Sequence, residues 1–220
     1  MTGRVPPRAL EHSALVETAL QTVVAEVEDN GVAENTLTAF CTDHGDAVGS
    51  NEGVANKGEL LVEKTAAIPL LFSGPGMVAG RTHDELVSAL DIAPTLLELC
   101  DLRGPPEPHG ASLANTLSGK AKAVRDSLLV QHHGLQRNIL QRSVYWERYK
   151  FVVQPDDFFE LYDLEADPNE LGNLALSLND PPAPNRKSLV SEAISRLHAL
   201  MANHRDTDNP VFEVLRTRRQ

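Results

Sequence analysis

The pattern of apolar residues changes near residue 103 of this 220-residue chain, and that change limits the folds available to it. Before it, long amphipathic segments alternate with short apolar runs that end in glycine-containing loops. After it, short β-prone segments follow one another without an intervening helix. Alternation is typical of an α/β sheet covered by helices, whereas successive strands are typical of an antiparallel sheet. The sequence therefore predicts two regions of different architecture.

Two helices are predicted in the first region. Residues 9–30 form an amphipathic helix that Gly31 ends, because apolar side chains recur at three- and four-residue steps, at Val16, Leu20, Val23, Val24 and Val27. Residues 86–102 form a second helix, with Asp91 as a candidate N-cap and Pro94 in the first turn, where proline is tolerated. We expect both helices to cover faces of a sheet.

Two short apolar runs, residues 36–42 and 66–73, are predicted to be strands of that sheet. Each is nearly continuous in apolar residues, so we expect parallel strands that are buried on both faces. The first run leads directly into Asp43-His44-Gly45-Asp46. An apolar strand that opens into a polar loop is how an α/β sheet presents a site at its carboxyl edge.

The second region is predicted to be a small antiparallel subdomain with a closing helix. Its four strand segments and its helix are residues 127–131, 138–144, 149–154, 158–164 and 187–203. The fold class is therefore α/β, a partial sheet with flanking helices, followed by a small antiparallel α+β subdomain. The predicted boundaries are 1–110 for the α/β portion, 111–126 for a linker, 127–205 for the subdomain and 206–220 for a tail.

Charge is unevenly distributed and limits the expected partners. The chain has 31 acidic and 20 basic residues, a net charge of −11, and residues 1–110 contain 17 of the acids but 6 of the bases. An acidic half argues against nucleic acid and is compatible with a hard cation. No apolar run reaches the ~18 residues of a membrane span, and the first residues lack a signal-peptide pattern. We expect no membrane partner and, for the chain as it stands, a cytoplasmic location.

Asp43 and His44 are the strongest local indication of chemistry. A carboxylate suits Ca²⁺, Mg²⁺ or Mn²⁺, and a neutral imidazole suits Mn²⁺ or Zn²⁺ better than Ca²⁺. A turn with a hydrogen-bonded histidine is the commoner outcome for such a pair. Lys57 lies in a glycine-flanked loop and can reach a tetrahedral oxyanion as a point charge, although an exposed loop lysine is the simpler interpretation.

The other candidate sites give weaker indications of chemistry. Residues 163–174 have the acid spacing of a calcium loop, but Pro168 stands where glycine is needed and Leu174 where glutamate is needed. Two cysteines, Cys41 and Cys100, lie in apolar runs and are predicted to be buried free thiols. Four histidines without a partner at metal-ligand spacing are predicted to lie on the surface: His132, His133, His198 and His204.

Seven segments occur in the order found in type I sulfatases, and the chain resembles that family over about residues 10–175. The segments are TLTAFCTDHGD (36–46), KG (57–58), IPLLFSGPG (68–76), ELVSALDIAPTLL (85–97), HGASL (109–113), RYKF (148–151) and ELYDLEADP (160–168). Sulfatases belong to the alkaline phosphatase superfamily, and the resemblance is to their carboxyl-terminal half. It implies a partial alkaline-phosphatase-like sheet and hydrolysis of sulfate esters.

The resemblance also implies roles for individual residues. Asp43 and His44 match the family's late metal-ligand pair, and Lys57 matches a lysine that contacts the sulfate. The implied metal is divalent, most often Ca²⁺, with Mg²⁺ or Mn²⁺ as alternatives. The implied partner is a small-molecule sulfate ester. In such enzymes a formylglycine, made from the first residue of Cys/Ser-x-Pro-x-Arg, attacks sulfur as its hydrate.

The sequence departs from the family pattern in ways that bear on activity. It contains no Cys/Ser-x-Pro-x-Arg and no early Asp-Asp metal ligands, so the formylglycine is not encoded in this chain. Val62 and Ala67 stand where tyrosine and arginine are common, and Asn51 or Glu52 stands where histidine is frequent. We expect the chain alone to be incomplete and inactive. We also expect an apolar surface that binds an amino-terminal sulfatase half or a second copy.

Two other functions remain open from the sequence. A phosphodiesterase or phosphonate monoester hydrolase of the same superfamily would also use an Asp-His ligand pair. A non-catalytic remnant that acts as an interaction module would explain the absent nucleophile. An in-frame Cys/Ser-x-Pro-x-Arg in the upstream DNA would distinguish part of an enzyme from such a remnant.

Overall fold

A computed structural model of the chain describes residues 7–48, 61–106, 108–134, 139–175 and 186–218. The helices are α1 (Pro7–Asp29), α2 (Glu63–Ala66), α3 (Ile92–Leu99), α4 (Ala114–Leu117), α5 (Arg186–Asn203) and α6 (Pro210–Arg218). The strands are β1 (Thr38–Cys41), β2 (Leu70–Ser73), β3 (Ser127–His132), β4 (Gln141–Trp146), β5 (Tyr149–Val153) and β6 (Phe159–Asp163). Single 3-10 turns occupy Ala33–Asn35 and Ala89–Asp91.

The four predicted strands of the second region form one antiparallel sheet in the order β3-β4-β5-β6. Each strand pairs with the next along the chain, as expected for successive short strands joined by turns. The β4–β5 turn has only two residues, and its first, Glu147, has a φ of 47°. Positive φ is what a two-residue hairpin turn requires, because it matches the twist of the strands.

Helices α5 and α6 cover one face of this sheet and build the main core. Ile194, Leu197 and Met201 of α5 are buried at the spacing of one helical face, as the sequence predicts. They pack with apolar side chains of the central strands, among them Val144, Trp146, Phe151, Val153 and Leu161. Burial of each such side chain contributes about 1.5–3 kcal/mol relative to exposure.

The end of the chain differs from the predicted tail. Residues 206–220 include helix α6, and Val211 and Leu215 of α6 are fully buried in the main core. These two residues are four apart, so they lie on the same face of the helix. Two apolar residues in a short segment with charged neighbours are a weak sequence signal for a buried helix. Their burial depends on the apolar surface that α5 and the sheet provide.

Strands β1 and β2 pair with each other and are antiparallel, so the prediction of parallel strands is wrong. The last residue of β1, Cys41, lies opposite the first residue of β2, Leu70, so the two strands run in opposite directions. The expected burial on both faces is also wrong, since exposure alternates along β2 and Leu71 is 57% exposed. Among the described residues no further strand pairs with either one.

Both cysteines are exposed, which corrects the prediction of buried thiols. Cys41 is the last residue of β1 and is exposed, whereas the three residues before it in the strand are half-buried. Cys100 directly follows α3. This helix ends at Leu99, three residues before the end predicted at residue 102. An apolar run in the sequence therefore does not guarantee burial when the element that it forms lacks a neighbour.

Helix α1 forms where the sequence places it, but its apolar side chains face solvent. The exposed fractions are 60% for Leu10, 68% for Leu15, 55% for Val16, 61% for Val23 and 39% for Val24. An amphipathic helix normally buries such a stripe against a neighbour. None of the described helices is both long and apolar enough to span a membrane.

The segment predicted as a linker is ordered and packed against the first region. It contains α4, and Leu113 and Ala114 are buried. The Leu113 N–H donates to the Thr95 hydroxyl of α3 at 2.9 Å, and the Val78 N–H donates to the Leu117 carbonyl at 3.0 Å. Residues 111–118 are therefore part of the packed structure around α3.

Asp91 does not cap α3 through its side chain, in contrast to the prediction. Ser88 caps the 3-10 turn that precedes α3, and its N–H in turn donates to the Asp91 carboxylate at 2.7 Å. The Asp91 side chain is fully buried and also accepts from the Ala111 N–H at 2.8 Å and from both terminal nitrogens of Arg125 at 2.6 Å. A buried carboxylate requires such partners.

Candidate functional site

The Asp43-His44-Gly45 turn directly follows β1 and rests on α2. The Gly45 N–H donates to the Thr65 carbonyl at 2.9 Å. A Cβ at Gly45 would lie 2.1 Å from the Lys64 carbonyl oxygen and 2.8 Å from that of Ala67. Only glycine fits this close approach, which explains why glycine follows the Asp-His pair.

The side chains of Asp43 and His44 lie close to each other. The Asp43 carboxylate is 88% exposed and accepts the His44 N–H at 3.0 Å. His44 Nδ1 lies 2.7 Å from the Gly45 carbonyl oxygen, which can only accept, so Nδ1 carries the proton and Nε2 the lone pair. His44 Nε2 is 3.6 Å from Asp43 Oδ2. Two ligand atoms that bind one cation at bond lengths near 2.4 Å, with an angle of roughly 90° at the cation, would be about 3.4 Å apart. The observed separation of 3.6 Å is close to this value.

The sequence predicted a third functional residue, Lys57, which lies outside the described residues. Within the described part of the chain, no cluster of three or more His, Cys, Asp or Glu side chains has metal-site geometry. Among the described residues, Asp43 and His44 are therefore a pair of candidate ligands and not a complete metal site.

A cleft of about 760 Å³ opens beside Asp43. It lies between α2, residues 85–91 and strand β3, and so separates the first region from the second sheet. Glu63, Glu85 and Arg125 also line it, together with a larger number of apolar side chains. Its size is in the range that encloses a small organic ligand.

Lys150 anchors α2 from the second sheet, a role that the sequence analysis did not identify. Its side chain is fully buried, and Nζ donates to the Glu170 carboxylate at 2.6 Å and to the Leu61 carbonyl oxygen. The other Glu170 oxygen accepts the Glu63 N–H, and the Gln141 side chain accepts the Leu61 N–H at 2.9 Å. The start of α2, on which the Asp-His-Gly turn rests, is thereby fixed to β4 and β5.

A sequence signal for this anchor exists. Lys150 stands between Tyr149 and Phe151 in an apolar strand, and a lysine at such a position is rarely buried unless it is paired. The identity of the partner, Glu170, follows only from the fold, because the segment after β6 brings it back to β5.

Tyr145 lies at the wall of the cleft and is buried beside Glu63. Burial raises the pKa of the Tyr145 hydroxyl well above its usual value, and the negative charge of Glu63 raises it further. The phenol is therefore neutral near pH 7. It contributes a neutral hydroxyl and an aromatic face to the cleft.

Two of the histidines predicted to lie on the surface have specific contacts. His198 stacks on Phe212 of α6, with ring centroids 4.5 Å apart. His204, at the end of α5, faces His109, with 3.5 Å between their Nδ1 atoms. Neither pair was detectable from spacing, since the partners come from different segments of the chain.

A family model described as N-sulphoglucosamine sulphohydrolase, C-terminal, matches residues 54–200. A delta 4,5-hexuronate-2-O-sulfatase of Bacteroides thetaiotaomicron is 31% identical over 175 residues, which are 76% of this chain and 36% of that protein. The chain spans about a third of the length of the curated relatives that it matches.

Two solved structures are similar in fold and sequence. A 2-O GAG sulfatase has a TM-score of 0.71 and 28% identity, over 79% of this chain and 38% of that one. A phosphonate monoester hydrolase of Agrobacterium radiobacter has a TM-score of 0.72 and 26% identity, over 87% of this chain and 40% of that one.

Proposed function

The chain belongs to the sulfatase family, with the alkaline-phosphatase-like fold and the family's carboxyl-terminal region, and from this premise we propose that it is part of a sulfuric ester hydrolase. In this proposal the chain supplies the two metal ligands that come last in the family sequence, and one wall of the substrate cleft. The substrate class that we propose here is a small-molecule sulfate ester.

The geometry of Asp43 and His44 carries the proposal. A solvent-facing carboxylate oxygen and an imidazole nitrogen lie 3.6 Å apart at the carboxyl end of a strand, beside a cleft of ligand size. This donor set fits a divalent cation, and we propose Ca²⁺, with Mg²⁺ or Mn²⁺ as alternatives. When bound, such a cation supplies Lewis-acid stabilisation of the ester oxygens.

The chain's own residues prepare this site. Gly45 allows the turn to approach α2, and the Lys150–Glu170 pair holds α2 in place. The hydrogen bond to the Gly45 carbonyl orients the His44 ring so that Nε2 points toward Asp43. For Lys57 we propose a contact with the sulfate, on the basis of the family resemblance alone.

We propose that this chain does not turn over sulfate esters alone. Its sequence contains no Cys/Ser-x-Pro-x-Arg, and loss of a covalent nucleophile costs many orders of magnitude in rate. The exposed stripe of α1 and the exposed face of β2 support a partner that covers them. The partner we propose is the amino-terminal sulfatase half, with self-association as the alternative.

Reconstitution tests this proposal. The chain is co-expressed with an amino-terminal sulfatase half that carries Cys/Ser-x-Pro-x-Arg, and hydrolysis of an aryl sulfate is measured with and without added Ca²⁺. We expect metal-dependent activity in the complex, loss of activity with Asp43→Ala, and no loss with the matched exposed variant Asp84→Ala. Metal-dependent hydrolysis by the chain alone, abolished by Asp43→Ala, would contradict the proposed dependence on a second half.

Metal affinity gives a separate test on the chain itself. With one carboxylate and one imidazole, Ca²⁺ should bind no tighter than about 10⁻⁴–10⁻³ M, the range of weak extracellular sites. Calorimetric titration measures this directly. Micromolar Ca²⁺ binding that is lost with Asp43→Ala would mean that further residues complete the shell within this chain.

A phosphonate monoester hydrolase is the second candidate, because one of the similar structures is the phosphonate monoester hydrolase of Agrobacterium radiobacter. The reconstituted complex distinguishes the two. A higher kcat/KM for an aryl sulfate than for an aryl phosphonate supports the sulfatase, and the reverse order supports the phosphonate hydrolase. Absence of both activities, together with no upstream nucleophile motif, would favour a non-catalytic interaction module.

A further inference from the structure

His109 and His204 meet at the cleft although they are 95 residues apart in sequence. Their Nδ1 atoms are separated by 3.5 Å, and their rings are 5.8 Å apart and tilted by 31°. His109 is exposed and His204 is half-buried, so an ion can reach both rings from solvent. The proposed sulfatase chemistry uses neither residue.

The separation of the two nitrogens suits a shared metal ion better than a direct hydrogen bond. Hydrogen bonds to a ring N–H most often have donor–acceptor distances of about 2.9–3.0 Å. Two nitrogens bound to one tetrahedral Zn²⁺ at about 2.0–2.1 Å would be about 3.3–3.4 Å apart. The observed distance is nearer to the second value.

The backbone of each histidine is held by its surroundings. A Cβ at Gly110 would lie 2.0 Å from the Leu90 carbonyl oxygen, so the chain next to His109 is pressed against that backbone. The adjacent Ala111 N–H donates to the buried Asp91 carboxylate. The His204 N–H donates to Leu200 at 2.9 Å as α5 ends. Both rings therefore project from fixed positions, which lowers the entropic cost of joint ligation.

We propose that His109 and His204 form a two-histidine site for a divalent transition metal. Neutral imidazole suits Zn²⁺, Ni²⁺ and Cu²⁺ better than Ca²⁺ or Mg²⁺, and this pair, unlike Asp43 and His44, contains no carboxylate. Water completes the coordination, because the described residues contain no cluster of three or more candidate ligand side chains. A metal at this site joins the segment before α4 to the end of α5 and so bridges the two sides of the cleft.

Zn²⁺ titration of the full chain by calorimetry tests the site, with Cu²⁺ electron paramagnetic resonance as a structural readout. We expect one Zn²⁺ per pair of rings and hyperfine splitting from two imidazole nitrogens. His109→Ala and His204→Ala should each weaken Zn²⁺ binding by more than about tenfold. Mutation of a residue that only hydrogen-bonds to a metal ligand already lowers metal affinity by about 10–100-fold, and these variants remove a ligand itself. The double variant should bind more weakly than either single variant, and the splitting in each single variant should fall to that of one nitrogen.

Two control variants make the outcome specific. His12→Ala removes an exposed histidine of α1 and should leave Zn²⁺ affinity unchanged. Asp84→Ala removes an exposed carboxylate outside both proposed sites and should also leave it unchanged. The test is independent of the sulfatase proposal because it measures Zn²⁺ binding and not ester hydrolysis. The two-histidine site is overturned if wild type shows no Zn²⁺ binding, if His109→Ala binds as wild type does, or if binding disappears with Asp84→Ala.

Discussion

The two regions of this molecule both contain regular helices and strands, but they differ strongly in how these elements pack. In the second region, four strands and two helices enclose a core that includes Trp146, Phe151, Leu197 and Leu215. In the first region, the buried apolar residues before α3 are Ala47 and Leu61 among those that the structure describes. Helix α1 is as regular as α5, yet its apolar stripe is exposed. Local pattern therefore suffices to form an element, whereas stability requires a second surface to pack against.

The regions also differ in how they use buried charge. In the second region, Lys150 and Glu170 pair behind the cleft. In the first region, the buried Asp91 carboxylate forms an ion pair with Arg125 and accepts the Ser88 N–H, which fixes the 3-10 turn before α3. Lys150 also donates to the Leu61 carbonyl oxygen, and Glu170 accepts the Glu63 N–H, so polar contacts join the less packed region to the well-packed one.

Breaking the buried Lys150–Glu170 pair should have the largest effect on this arrangement. Lys150→Met leaves a buried carboxylate without its cation and should lower the free energy of unfolding by about 3–5 kcal/mol. Denaturant unfolding measures the loss. The double variant Lys150→Met/Glu170→Leu should recover part of it, because it removes the uncompensated charge. Equal stability of wild type and Lys150→Met would show that the pair does not anchor α2.

The contrast between the cores is tested with a matched pair of leucines. Leu197→Ala in α5 should cost about 2–5 kcal/mol, because Leu197 is fully buried and the variant leaves a cavity. Leu15→Ala in α1 should change stability by no more than about 0.5 kcal/mol, because Leu15 is 68% exposed. Chemical denaturation of both variants gives the comparison. A comparable loss at Leu15 would mean that α1 is covered in solution.

Acid should weaken the second region through Asp206. Partial burial opposes ionisation of this carboxyl, but hydrogen bonds from Arg142 and Gln131 and the Arg142 charge outweigh it and lower the pKa of Asp206. A lowered native pKa stabilises the fold above the unfolded value of about 3.9, and the stabilisation is lost as the pH falls through the native pKa. Thermal melts of wild type and Asp206→Asn from pH 7 to pH 2 should converge at the acid end. A constant difference would contradict this assignment.

The smallest effect on stability is expected from charges placed on α1. Val16→Lys/Val23→Lys should leave the melting temperature nearly unchanged, because both side chains already face solvent. It should reduce self-association of the purified chain, measured by light scattering, because it divides an exposed apolar stripe. A monodisperse monomer in wild type, with no dye-binding apolar surface, would contradict the proposal that α1 requires a partner.

Much of the second region could be predicted because its signals are local. The strands are short segments bounded by turns, and α5 repeats its apolar residues at the helical period, so each element is specified by neighbours in the sequence. The Asp-His-Gly turn was also detectable, since a polar pair directly after an apolar strand is a local feature. The direction of β2 relative to β1 was not, because an apolar run indicates a strand but not its neighbour.

By itself, the sequence indicated the family, the six strands, helices α1, α3 and α5, and the positions of Asp43 and His44 after β1. The tertiary structure alone decided which distant residues meet: Asp91 with Arg125, Lys150 with Glu170, and His109 with His204. These partners are 34, 20 and 95 residues apart. Helical and strand periodicity relate side chains only within one element, and pairing across elements depends on how packed surfaces bring them together.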